Sequence, residues 1–162
     1  MRRIILTALF ALAATGAVRA DDCANFKWSV ERERAWMAAG PAPVTATSAI
    51  ALADKAYRVT LVDIQAIKFA VPPERAPKIG TLAAALTFIV ASPGVYDVGL
   101  SGEGWIDVVQ NGAAVTSSDF SGQKNCPGLH KSVRFALAAG VATLQLSNVA
   151  SETIDVAIAP AP

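Results

Sequence analysis

The sequence is poor in the side chains that build most catalytic and metal centres. It holds one His and two Cys in 162 residues. One imidazole excludes sites made of several His, and two thiols exclude four-cysteine zinc and iron–sulfur sites. Charged residues make up 17% of the chain and leave a formal net charge of +1. The basic excess of a dedicated nucleic-acid binder is therefore missing. No Gly-rich phosphate loop, dinucleotide fingerprint or Gly-x-Ser-x-Gly elbow occurs. The cysteines lack Cys-x-x-Cys spacing, which argues against a redox-active pair. No apolar run reaches the ~20 residues needed to span a bilayer. There is no internal repeat or low-complexity linker, and the length suits one domain.

What is present begins with a leader-like segment. Arg2 and Arg3 precede an apolar run from Ile4 to Ala14, broken only by Thr7. Val18, Arg19 and Ala20 then place small residues at the −3 and −1 positions of a cleavage site. This is the pattern of a secretory signal peptide over residues 1–20, and it predicts a periplasmic or secreted protein. Without Arg2, Arg3 and Arg19, the 14 basic residues fall to 11 against 13 acidic ones, so residues 21–162 carry a net charge of −2. Cys23 and Cys126 both lie in that remainder, and in an oxidising compartment such a pair is expected as a disulfide.

One helix is expected, over about 29–39. Ser29 is the candidate N-cap, Glu31 and Glu33 suit the first turns, and Gly40 with Pro41 ends it. Trp28 and Trp36 suit anchors that dock this helix onto a sheet. From Tyr57 the period changes to two. Tyr57, Val59 and Leu61 alternate with Arg58, Thr60 and Val62. The run 71–77 holds three prolines and reads as a loop. Thr81 to Val90 suits either helix or strand by periodicity, and its Gly80 and Pro93 boundaries favour a strand. Further alternation follows at Tyr96–Val98–Leu100, Ile106–Val108, Val133–Phe135–Leu137, Leu144–Leu146 and Ile154–Val156–Ile158. Asn111-Gly112 is a hairpin-turn signal. Six to eight short strands at this spacing predict an all-β antiparallel sandwich, jelly-roll-like, with one N-terminal helix.

His130 lacks an evident nucleophile partner and reads as an exposed loop residue. Glu103 and Asp107 are a carboxylate pair only in sequence, whereas glycoside chemistry depends on their separation in space. The segment from Thr116 to Lys131 reads as a long polar loop, a frequent place for function. Two readings of Trp105 stand side by side. It is a ligand platform beside Asp107, or it is covered by the N-terminal helix. Candidate ligand-binding residues are Trp105, Asp107, Phe120, Gln123, Lys124 and His130. No catalytic residue, metal ligand or cofactor is assigned.

A resemblance rests on Cys23, Phe26-Lys27-Trp28, Glu31 to Trp36, Gly104 to Val108, Phe120 to Lys124, Cys126-Pro127-Gly128 and Lys131 to Phe135. This pattern resembles a family of short exported proteobacterial proteins that often carry the label homogentisate 1,2-dioxygenase. That label implies iron held by two His and a Glu, which a chain with one His does not supply. Gly94-Val95-Tyr96 and Gly140 to Ser147 resemble, more weakly, jelly-roll modules that accompany secreted enzymes and bind carbohydrate. The reading that follows is a non-catalytic binding or accessory module for a small molecule, glycan or protein partner. The alternatives are an oxidoreductase of the labelled kind and a structural envelope protein. Neither nucleic acid nor a membrane span after leader removal is expected.

Overall fold

A computed structural model describes residues 21–162 of the protein. The expected leader lies outside the described residues. Among the described residues eleven strands form two sheets, with one α-helix packed against the outside of the first. The six-stranded sheet has the order β1 (Ala42–Thr45), β2 (Tyr57–Thr60), β11 (Thr153–Pro160), β5 (Gly94–Leu100), β9 (Lys131–Leu137), β8 (Ser117–Gly122). The five-stranded sheet has the order β3 (Val62–Asp63), β4 (Leu82–Val90), β10 (Gly140–Val149), β6 (Trp105–Gln110), β7 (Ala113–Val115). Pairing is antiparallel except for the parallel ladder of β1 and β2. The expected all-β sandwich with one helix is the observed architecture.

Period-two alternation builds the core. Val98, Leu100, Val133, Phe135, Val156 and Ile158 point inward from the first sheet, and Leu86, Phe88, Leu144, Leu146, Ile106 and Val108 from the second. Burying apolar area between the sheets supplies the main driving force. The segment expected as a strand from Thr81 is one over Leu82–Val90, since Ala84, Leu86, Phe88 and Val90 follow the period of two inward. The Asn111-Gly112 turn joins β6 to β7 with φ of 54° and 75°, the paired positive values that a type I′ hairpin requires.

The outer faces of both sheets are also covered. On the first sheet, Ala157, Gly99, Ser132 and Ser121 occupy one cross-strand row of small residues. Their small size leaves a trough. Leu129 fills it so closely that a Cβ on Gly99 would lie 2.8 Å from Leu129 Cδ1. The helix α1 (Glu31–Ala38) adds Met37, and Trp28 donates its indole N–H to Ser132 Oγ at 3.2 Å. The Cys23–Cys126 disulfide, with 4.7 Å between Cα atoms, ties this N-terminal cover to the loop carrying Leu129. On the second sheet the proline-rich strap 67–80 lies over fully buried Gln145. The Gln145 amide accepts from Ala70 N–H at 2.7 Å and donates to Val71 C=O at 3.1 Å.

Several expectations are corrected. Val30, not Ser29, is the helix N-cap, and no side chain caps it; the helix spans 31–38 rather than 29–39. Val30 is buried with Cys23, Phe26, Met37 and Leu129 on the outer face of the first sheet, so packing rather than capping sets that end. The strand expected to run through Val62 breaks at Leu61, which donates to Glu152 C=O, and Val62 begins a strand of the other sheet. Strand β1 had no pattern to announce it, with Pro43 in a short parallel edge. The expected long loop 116–131 contains β8, an edge strand exposed along most of its length and so without visible alternation.

Candidate functional site

The sandwich is incomplete along one side, and strand length is the cause. The chain switches sheets at Thr116, between β7 and β8. Strand β7 therefore ends early and pairs only with Val108–Gln110. Trp105, Ile106 and Asp107 pair with β10 on one side and have no strand on the other. Across the gap, β8 and β9 continue to Gly122 and Lys131. The result is a cavity of about 530 Å³ that wraps the free edge of β6. Such a volume is in the range of small-molecule sites.

The walls have distinct chemistry. Ile106, Val115, Val133 and Phe135 provide an apolar floor from the inner faces of the two sheets. Phe120 shares the inward register of its partner Val133, yet at the sheet edge it stays 67% exposed. Lys27 Nζ lies 5.5 Å above its ring. The mouth is polar. Arg75, carried by the strap, places its guanidinium 4.2 Å from the Trp105 ring centroid, and Lys131 Nζ lies 5.6 Å from the same centroid. Lys131 Nζ donates to Gly104 C=O.

Asp107 is the most constrained polar group of the site, at 6% exposure. Its Oδ1 accepts from Trp105 Nε1 at 3.1 Å, whereas Oδ2 has no hydrogen-bond partner among the described residues. Burial pushes the Asp107 carboxyl above its usual range; hydrogen bonding by the Trp105 indole and by the Glu74 backbone opposes the shift, and the Glu74 charge adds to it. Burial pulls the Lys131 ammonium below its ordinary value, and the Arg75 charge pulls the same way, against Glu103 and Asp107.

All six residues singled out from sequence line this one cavity: Trp105, Asp107, Phe120, Gln123, Lys124 and His130. They do not stand alike. The Gln123 side chain is engaged in holding the N-terminal segment, donating to Asn25 C=O at 3.0 Å. His130 is half-buried rather than fully exposed, and its backbone closes the neighbouring turn by donating to Leu100 C=O and accepting from Gln123 N–H. Trp105 is not covered by the N-terminal helix, which packs on the outer face of the other sheet. Arg75 of the strap lies over it instead. Sequence reasoning missed Arg75, Lys131 and the floor. Arg75 sits some distance along the chain in a proline loop, and the floor residues read simply as core.

A group of metal-ligand atoms among the described residues, Asp21 with Cys23 and Cys126, has both sulfurs joined in the disulfide. Among the described residues no helix is long and apolar enough to cross a membrane. No family model matches the chain, and no curated protein does. A similar solved structure is the pre-peptidase C-terminal domain of collagenase from Bacillus anthracis. It is 14% identical, covers 72% of this chain and 97% of that one, and has a TM-score of 0.40.

Proposed function

We propose that this chain is an exported, non-catalytic binding module that holds a small organic molecule in the cleft beside β6. The carrying observation is the gap itself, where the short β7 exposes an edge of β6 and leaves an apolar floor under a polar mouth. A fully paired sandwich would fill that space with side chains. The placement of the floor on regular strands favours binding, because rigid elements hold a preformed site. The Cys23–Cys126 disulfide supports an oxidising compartment. Arg75 over Trp105 favours a ligand that meets a guanidinium rather than one that stacks on a bare indole, which weighs against a glycan.

The test is a melting-temperature screen with apolar small molecules, beginning with the neutral probe N-phenyl-1-naphthylamine. A ligand present at 100 times its Kd stabilises the native state by about 2.7 kcal/mol. The expected result is saturable 1:1 binding with a raised Tm. Absence of any saturable ligand over a broad panel, including this probe, overturns the reading.

A further inference from the structure

We infer that the cleft selects amphiphilic organic anions, molecules with an aromatic or aliphatic body and one acidic head group. The inference rests on the binding reading above and specifies its ligand class. The cations of the mouth carry it. Arg75, Lys124 and Lys131 all line the cavity, and none forms an ion pair among the described residues. Five other basic groups do pair, Lys27 beside Phe120 at the cleft and Arg32, Arg34, Arg58 and Arg134 away from it; Lys55, Lys68 and Lys78 form no ion pair among the described residues either, but lie outside the lining.

Two of the three cations of the mouth converge on one indole. Arg75 and Lys131 approach the Trp105 ring to 4.2 and 5.6 Å, close enough for their like charges to repel each other; burial first and the Arg75 charge second pull the Lys131 pKa down. Lys131 is part-buried, with a single backbone carbonyl as hydrogen-bond partner. An ammonium has three donors, so it retains capacity for an acceptor in the cleft. The nearby acids do not use that capacity. Asp107, through its free Oδ2, and Glu103 act on Lys131 by charge alone, and neither they nor Glu74 on the exposed strap forms an ion pair with it. An anionic head group between Arg75 and Lys131 relieves the repulsion and gains charge-assisted hydrogen bonds. Its apolar body then lies along Ile106, Val133 and Phe135. The lining sets three cations against the carboxylates Glu74 and Asp107, and only the cations Arg75 and Lys131 converge on the Trp105 ring, so an anionic head group is preferred over a cationic one.

A matched probe pair tests this. 8-Anilino-1-naphthalenesulfonate is N-phenyl-1-naphthylamine with one sulfonate added, so the two differ by the proposed head group. Fluorescence titration of the intact protein should give saturable 1:1 binding of both, with the sulfonate at least tenfold tighter. Arg75→Gln and Lys124→Gln alter exposed side chains outside the core. Each should reduce that preference about threefold to tenfold, read as the ratio of the two probes' affinities within the same variant. High salt should weaken only the sulfonate. Equal affinities, or a preference that survives both substitutions, overturns the anion inference while leaving the cleft as a binding site. Failure of both probes to bind overturns the cleft reading as well.

Discussion

Replacing Cys23 and Cys126 together by Ala tests how the N-terminal cover is held. Alanine is the proper substitute because both sites are buried and a serine would add a hydroxyl without a partner. The bond joins residues separated by 103 positions. For a closed loop of that length the chain-entropy model gives about 4.7 kcal/mol of stabilisation, acting through the denatured state. The folded variant keeps Leu129 in its trough, the Trp28–Ser132 hydrogen bond and the exposed Lys27–Asp119 pair. It should therefore fold, at lower stability. At ~2–4 °C per kcal/mol the expected loss in Tm is roughly 10–20 °C. Urea unfolding followed by circular dichroism reads the change directly. The m-value should rise, because the unlinked denatured chain expands and exposes more surface. A loss below about 1 kcal/mol with an unchanged m-value would refute the reasoning, since closing a loop of this length removes substantial entropy from the denatured chain.

Leu129→Ala should cost about 2–5 kcal/mol in urea unfolding, since Leu129 is fully buried against Gly99 on an outer sheet face; a cost under ~1 kcal/mol would show that the trough is not tightly packed. Gly112→Ala should cost about 1 kcal/mol, because its φ of 75° belongs to the left-handed region; no change in the urea midpoint would contradict the type I′ turn. The Asp107 pKa is raised by burial, so the native state binds more protons than the denatured state above pH 3.8. Wild type should consequently gain stability relative to Asp107→Asn as pH falls from 7 toward 4; a gap constant with pH would contradict the burial of an ionised carboxylate. Lys131 has the opposite sign. Its folded pKa lies below 10.5, so binding of 8-anilino-1-naphthalenesulfonate should weaken on the alkaline side before an ordinary lysine titrates, and a flat profile up to pH 10 would count against its role.

The core strands were legible because one face of each meets the other sheet. Val133-Phe135-Leu137 and Ile154-Val156-Ile158 carry that alternation openly. The covered outer faces were not legible. Asp97, Asp107, Gln145 and Ser147 look like solvent-facing positions, yet the helix and the strap bury them. Asp97 survives there because Arg134 donates to it at 2.8 Å. Edge strands were the other blind spot, because β8 packs too little apolar surface to show a period. The mouth of the cleft was found through its aromatic and polar loop residues. Arg75 was not, because the strap is brought over the second sheet by Gln145 and Asn148, through contacts that cross 70 to 75 residues.

The central claim is that a small molecule enters beside the free edge of β6. Backbone and methyl chemical shifts, followed during titration with N-phenyl-1-naphthylamine, test it most directly. Saturable changes should centre on Ile106, Val115 and Val133, with Phe120 and the 122–131 turn responding. A competing apolar surface exists at the exposed cross-strand pair Ile89 and Val141, on the outer face of the second sheet. Changes centred on that pair, with the β6 edge unmoved, would contradict the account.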